Sequence, residues 1–377
     1  MGMTETAFDV PVVMIVYKRL DVTEKSFAPI RELKPQKLYI ISDGPRKPEE
    51  AEAEAVEAVR SYIDSHIDWP CEVHRDYAEK NMGLRYRMPS GMAWVFENED
   101  RAIFIEDDIE ATQNFFYFCR DMLKHYENDE RIAMITGSNL YPEDPSFNGE
   151  DICFSAYATI WGWATWKRAF KLYDVNIRRW PELKKKQSFR NVMTDRTWNF
   201  FSVVFDDLQY HWYRTWGYQW DFLLWANEKL GIVPKYNLIS NIGMGNAQGE
   251  HPGDTAEKVD YISSVKKKEL ALPIRYPAEV KRNEAYDRIF QDGFFTEKIG
   301  LLKRIKYSIR ASCYEKAYAQ IKEMEKDEEY FSSVLEDKYK LSEEEQKLNP
   351  GDRYRLISPR DMRESARAYR RYKRSKK

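Results

Sequence analysis

Three consecutive carboxylates, Glu106-Asp107-Asp108, close the stretch Arg101–Asp108 (RAIFIEDD) of this 377-residue chain. Such groups repel one another unless something positive sits among them, and their hard oxygens suit Mg²⁺ or Mn²⁺. The residues ahead of them, Ala102 to Ile105, are too few for a helix and rich enough in β-branched and aromatic types for a buried strand. A strand covered on both faces belongs to a parallel α/β sheet, and open sheets of that kind take ligands at the carboxyl ends of their strands. A solvated turn is the plainer reading of an acidic triplet taken alone.

The elements around the triplet follow the alternation such a sheet requires. Val12–Val16 is an apolar, β-branched strand, with Tyr17-Lys18-Arg19 at its carboxyl end. Asp21 and Glu24 have the spacing of a capping box, which predicts Asp21 as the N-cap of a helix carrying Phe27, Ile30 and Leu33, with a kink at Pro29 and a stop at Lys34-Pro35. Lys37–Ser42 (KLYIIS) reads as a second strand, ending in the turn Asp43-Gly44-Pro45-Arg46. Pro48 to Ile63 has a helical apolar stripe, Cys71–Tyr77 reads as a third strand, Asn81-Met82-Gly83-Leu84 as a loop and Ser90–Phe96 as a helix. After the triplet, Phe115, Phe116, Cys119, Met122, Leu123 and Tyr126 fall on one helix face, and Arg131–Gly137 is a further strand. This pattern predicts a doubly wound sheet with right-handed crossovers.

From Tyr157 the character changes. Nine of the eleven tryptophans lie between Trp161 and Trp225, too many to line one site, so for any single one the core is the better assignment. The Trp161-Gly162-Trp163 element stands apart, because a glycine between two indoles suggests a backbone that something approaches closely. Ser202–Trp225 reads as partly helical and contains Asp221, Gly231–Ile242 as strand and turn, and Gly243 to Gly253 as a glycine-rich loop holding His251.

Hydrophobic content of 43% supports a packed core, and 60 basic against 62 acidic residues give no global pull towards nucleic acid. The cysteines Cys71, Cys119, Cys153 and Cys313 have no metal-ligand spacing and read as reduced thiols of a cytoplasmic protein. No apolar run reaches the length of a membrane span. Beyond about Pro273 the chain is increasingly charged, helical by composition over Lys298–Leu348, and strongly basic from Arg353. Most such tails are solvated. The tyrosines among these arginines, Tyr354, Tyr369 and Tyr372, also suit peripheral adsorption to anionic lipid on the inner face of a membrane. The expected division is a main domain at 1–272 and a charged, mainly helical extension at 273–377.

The ordered set VVMIVYKR, YIISDGP, NMGL, FIEDD with its aromatic helix, IWGWATW and NIGMG resembles the GT-A glycosyltransferases. It is similar in particular to bacterial nucleotide-diphospho-sugar transferases of the hemolytic-protein HlpA-like group, and through them to N-acetylglucosaminyltransferase I. The resemblance covers roughly residues 10–255. It implies an α/β fold of the GT-A type, a Rossmann-like mixed, mostly parallel sheet flanked by helices, here with the charged C-terminal extension. It also implies metal-dependent, inverting transfer of a sugar, a hexose or N-acetylhexosamine, from a nucleotide-diphosphate donor to an acceptor hydroxyl. UDP-sugars are favoured as donor, Mn²⁺ or Mg²⁺ as cofactor, and a glycan, glycolipid or other surface-polysaccharide precursor as acceptor.

Position by position, the resemblance implies that Arg19 contacts the nucleotide and that Asp43 faces its base. Arg87 would pair with the base or diphosphate, with Arg85 an equal candidate by spacing. Glu106 and Asp107 would hold the ribose and metal-bound water, and Asp108 would ligate the metal. Trp163 would lie near the transferred sugar, Asp221 would be the general base, and His251 would reach the metal or diphosphate. Two departures stand out. Related sequences often carry Asp where this chain has Gly217, and Tyr17-Lys18-Arg19 replaces a more usual Asn or Asp before the arginine. A non-catalytic sugar- or nucleotide-binding scaffold is the alternative, with Gly217 as the trace of a lost base. A metal-dependent phosphohydrolase is a third reading, but it usually wants more metal ligands than this chain assembles.

Overall fold

The computed structural model describes residues 8–47, 51–209, 215–244, 256–271 and 273–296. Beyond these it describes 300–302, 305–306, 309, 312, 316, 319, 323–324, 326–327, 343–348 and 359–376. The chain begins β1 (Val12–Val16), α1 (Leu20–Leu33), β2 (Lys37–Ser42), α2 (Ala51–His66), β3 (Glu72–Tyr77), α3 (Leu84–Asn98), β4 (Arg101–Glu106). It continues through β5 (Ile109–Ala111), α4 (Gln113–His125), β6 (Ile132–Thr136), β7 (Ile152–Ser155), β8 (Trp163–Trp166) and α5 (Lys167–Phe170). Then come α6 (Trp180–Lys186), α7 (Asp195–Gln209), α8 (Gly217–Ala226), β9 (Leu230–Pro234), β10 (Ile239–Asn241), α9 (Ala256–Ser264) and α10 (Glu284–Phe294). In the C-terminal stretch, Glu343–Leu348 and Pro359–Ser375 are helices.

Two compact units divide the chain. The first comprises Met1–Gly83, Gly91–Tyr173 and Asn227–Phe294. It holds an eight-stranded sheet in the order β3-β2-β1-β4-β8-β6-β9-β7, and a separate antiparallel ribbon of β5 and β10. β3, β2, β1 and β4 run parallel, as do β6 and β9, while β8 is antiparallel to β4 and β6, and β7 to β9. This is the mixed, mostly parallel, helix-flanked sheet expected of a Rossmann-like α/β fold. Every residue of β1 is buried, and Ala102 to Ile105 of β4 are fully inaccessible, as expected for strands covered on both faces. Burying each such Ile or Phe side chain is worth about 1.5–3 kcal/mol.

β2 lies on one side of β1 and β4 on the other, so the strand order reverses between β1 and β4, the kind of switch point at which open α/β sheets take ligands. Phe104 of β4 stacks on Trp163 of β8 with ring centroids 4.8 Å apart, which fixes the strand that carries the triplet. The sheet edges differ. β3 is half-exposed and carries Glu72, His74, Arg75 and Asp76, whereas β7 is buried and covered by the chain at Arg282 and Asn283, whose backbone N–H donates to Phe154 O at 2.7 Å.

Local differences from the sequence expectations have physical causes. α1 starts at Leu20, so Asp21 lies inside the first turn rather than capping it. The cap residue is Arg19, which makes no side-chain cap bond because a guanidinium has no acceptor to offer the first-turn N–H groups. The helix continues through Pro29 and ends at Lys34, whose φ of 51° is left-handed and whose N–H reaches Ile30 O. α3 starts at Leu84, six residues earlier than Ser90, and includes Pro89 in an early turn. The three-residue β5 is too short to read from a pattern.

The second unit comprises Leu84–Ser90, Asp174–Ala226 and Phe295–Lys377. Its core is aromatic. Trp180, Trp216, Trp220 and Trp225 are buried, and Phe201 and Phe205 pack against Trp225 and Trp180 respectively. Asp206 accepts the Trp180 indole N–H at 2.9 Å and an ion pair from Lys184 at 2.6 Å, which satisfies its carboxylate inside this cluster.

Candidate active site at the carboxyl ends of β1 and β4

Arg19 follows β1 and the triplet closes β4, so the sheet brings them together across 88 residues of sequence. The Arg19 guanidinium takes Asp107 with both Nη2 (2.5 Å to Oδ1) and Nε (3.4 Å to Oδ2), and its Nη2 also reaches Asp108 Oδ2 at 2.9 Å. The backbone is held as well: Ser26 Oγ of α1 donates to Asp107 O at 2.9 Å, and Thr23 Oγ1 to Arg19 O at 2.6 Å. Among the described residues one cation, Arg19, therefore faces the carboxylates. Burial, with Asp108 and Asp107 nearby, pushes Glu106 well above the usual carboxylate range. Burial lifts Asp107 to about 6 although Arg19 opposes it. Burial also works against the charge of Arg19, but the two aspartates outweigh it and raise its pKa. An additional cation at this place would find hard, electron-rich oxygen waiting for it.

Asn241 to Met244 add the second wall. Ile242 N–H donates to Asp108 O at 2.8 Å, and Gly243 N–H to Asn241 Oδ1 at 3.0 Å. A Cβ at Gly243 would fall 2.8 Å from Asp108 Cγ and overlap its carboxylate, so glycine is required where this backbone crosses the aspartate. Sequence reading marked the segment only through the resemblance. Its contact with Asp108 is visible once β10 pairs with β5.

Asp43 does different work. Its carboxylate accepts the backbone N–H groups of Gly44 (2.9 Å), Met82 (2.9 Å) and Gly83 (3.0 Å) and the Asn81 side-chain amide (3.0 Å). Gly44 is needed for the same junction, because a Cβ there would stand 2.6 Å from the backbone of Lys80. Arg60 of α2 ties the ends of β2 and β3 together, donating to Ser42 Oγ, Asp43 O and Ala78 O. Neither Arg60 nor Ser26 gave any sequence signal, since a polar residue on a helix face has no distinctive spacing.

Trp163 is fully buried against Phe104 and presents no face to solvent; the half-buried indole of this element is Trp161. Gly162 has φ +56°, and a Cβ there would meet Ile239 at 2.9 Å and Ile109 at 3.2 Å. The close approach suggested by the glycine is made by the chain's own isoleucines. In the second unit, Arg85 is buried and donates to Val175 O, Asn176 Oδ1 and Leu208 O, holding that unit's loops, and Arg87 is buried one helical position pair further on. Asp221 lies on α8, half-buried, and takes no hydrogen bond or ion pair from the described residues. Burial alone pushes its carboxyl well above the usual range. His251 lies outside the described residues.

No protein-family profile matches the chain, and no curated protein does. Among solved structures, the chain is similar to S. aureus TarS 1–349 with a TM-score of 0.30 and 9% identity, over 43% of this chain and 48% of that one. The chain thus spans about half the length of that structure, and an overlap this loose carries no argument about activity.

Proposed function

We propose that the chain is a metal-dependent, inverting glycosyltransferase that moves a sugar from a nucleotide-diphosphate donor, with UDP-sugars favoured, to a hydroxyl of a glycan or glycolipid acceptor. The observation that carries this reading is the convergence of Glu106, Asp107, Asp108 and Arg19 at the strand ends where the strand order reverses. Among the described residues no three His, Cys, Asp or Glu side chains gather into an all-protein metal cage. One or two carboxylates plus the phosphates of a substrate is nevertheless the usual setting for Mg²⁺. Asp108, the more open of the two aspartates paired with Arg19, would hold the ion, with Asp107 fixing the guanidinium beside it. When bound, such an ion neutralises charge on a departing diphosphate.

Asp221 would be the group that takes the acceptor's proton: burial raises its carboxyl above the usual range, the direction a general base requires. In this reading Asp43 acts by shaping the 81–83 loop, and the core position of Trp163 gives it a packing role. The basic helix Pro359–Ser375 extends the reading to peripheral contact with anionic lipid, which liposome sedimentation of a chain ending at Pro350 would check. No helix among the described residues is long and apolar enough to cross a membrane.

Asp108→Asn is the direct test. Mn²⁺-dependent binding of UDP, followed by calorimetry, and sugar transfer from UDP-sugars should both disappear. Transfer at the parent rate by this variant would sink the reading. Product analysis separates the neighbours: nucleoside diphosphate supports transfer, sugar phosphate points to a phosphohydrolase, and binding without turnover points to a scaffold.

A further inference from the structure

Among the described residues six large apolar side chains stand exposed, and four of them, Leu301, Leu302, Ile305 and Ile309, fall in one short stretch of the second unit. They are between 47% and 84% exposed. All four are helical, as is Lys306, which is exposed with them. Spacings of i, i+1, i+4 and i+8 fall within an arc of about 100° on a helix, so the four make one apolar stripe. The other two, Leu172 and Tyr261, belong to the first unit, and the Tyr261 hydroxyl donates to Leu140 O. Apolar residues exposed singly are ordinary, whereas a contiguous stripe marks a surface that something covers.

The charge around the stripe says what covers it. From Lys298 to Tyr314 the sequence holds Lys298, Lys303, Arg304, Lys306 and Arg310, and no Asp or Glu. Apolar residues flanked only by cations match a surface that is anionic at its rim and apolar just beneath, which is a bilayer bearing acidic phospholipid. A second copy of the chain is a poorer occupant, because joining two such stripes brings like charges together.

The helix Pro359–Ser375 has a different character. Its Arg371 and Arg374 are exposed and supply charge. The ring of Tyr369, however, is turned inward: it is buried, its hydroxyl donates to Asp327 Oδ2 at 3.2 Å, and Lys373 pairs with the same carboxylate at 3.5 Å. Charge alone holds a chain near a membrane, and apolar side chains are what enter it.

We infer that Leu301, Leu302, Ile305 and Ile309 form an interfacial anchor that lies in the surface of an anionic bilayer, with these side chains below the headgroups and Lys306 at their level. The inference rests on the peripheral-contact reading for the kind of surface, and on the stripe alone for the part that enters it.

The test uses the full chain and vesicles of phosphatidylcholine, alone or mixed with phosphatidylglycerol, followed by flotation. The parent should bind the mixed vesicles and bind phosphatidylcholine more weakly. Leu302→Gln/Ile305→Gln should bind the mixed vesicles about tenfold or more weakly than the parent, with Ile309→Gln as an independent second variant. Transfer from UDP-sugars to a soluble acceptor should be the same in these variants as in the parent, so the anchor and the glycosyltransferase reading are judged separately. A parent that ignores the mixed vesicles overturns the inference, as do stripe variants that bind like the parent. If binding is lost only in Arg371→Gln/Arg374→Gln, the tail's charge is the attachment and the anchor falls while peripheral contact survives. A parent that is dimeric by light scattering, becomes monomeric as Leu302→Gln/Ile305→Gln and ignores vesicles assigns the stripe to a second copy and likewise overturns it.

Discussion

Replacing Arg19 by methionine removes the positive charge that Asp107 and Asp108 share while keeping an unbranched side chain of similar reach. The guanidinium meets them at 2.5 and 2.9 Å, with side chains 16%, 8% and 19% exposed for Arg19, Asp107 and Asp108. Breaking a buried pair from one side costs about 3–5 kcal/mol, because the remaining charge is left uncompensated. Protonation limits that cost here. Asp107 already sits at about 6 through burial, against the pull of Arg19, and without Arg19 it rises further. A carboxyl with a raised folded-state pKa keeps its proton in the folded chain where the unfolded chain has lost it, so stability falls as pH climbs through that window. Above about pH 6 the variant holds this proton longer than the parent does, so its deficit widens between pH 6 and pH 8, by at most about 1.4 kcal/mol per unit. Urea unfolding followed by tryptophan fluorescence, at both pH values and in EDTA, reads these differences. A variant within roughly 1 kcal/mol of the parent at both, the range of an ordinary surface pair, would refute Arg19 as the counter-charge of the triplet.

Other perturbations reach different parts of the molecule. Gly243→Ala places a methyl on the Asp108 carboxylate and should cost about 1–3 kcal/mol by overpacking while weakening Mn²⁺-dependent nucleotide binding; a thermal shift with and without UDP checks both. Asp43→Asn leaves one acceptor oxygen where two now serve four donors, so amide exchange at Met82 and Gly83 should accelerate and stability fall by about 1–3 kcal/mol. Burial lifts Asp287 to about 7 despite its bond from Ser155 and the charge of Arg282, so it destabilises the folded chain progressively as pH rises from the ordinary Asp range to 7. Asp287→Asn should flatten that slope, a gain on the order of 4 kcal/mol above neutral pH, and pH-dependent urea midpoints would show no such flattening if the carboxyl titrates normally.

The strands were legible because their signal is local. VVMIV, KLYIIS and RAIFIE are short apolar runs, and each forms within a residue of where its composition places it. The order of the strands follows from alternation with helices, whereas the antiparallel insertion of β8 between β4 and β6 does not, since WATW carries no mark of its direction. The start of α1 shows a local preference overridden: Asp21 has the chemistry of a cap, yet the helix begins two residues earlier, with Arg19 at the cap position and facing the triplet. At the site, the acidic triplet and Arg19 could be named from sequence because charge at the end of a buried run is conspicuous. Ser26 and Arg60 could not, because an ordinary polar residue becomes informative only when its neighbours are known. Trp163 shows the converse, a conspicuous residue whose burial against Phe104 is decided by strand pairing.

The two unlike edges of the large sheet bear on how the molecule behaves in a crowd. An open edge is a template onto which another chain can add a strand, the first step of many aggregates. At β3, a newcomer would have to bury the charges of Glu72, Arg75 and Asp76, and at β7 it would have to displace Asn283 from Phe154 O. Sheet extension is thus discouraged at one end by desolvation and at the other by prior occupancy. Association of this unit with another copy or a partner has to use side chains on its faces, and the sheet itself stays finite.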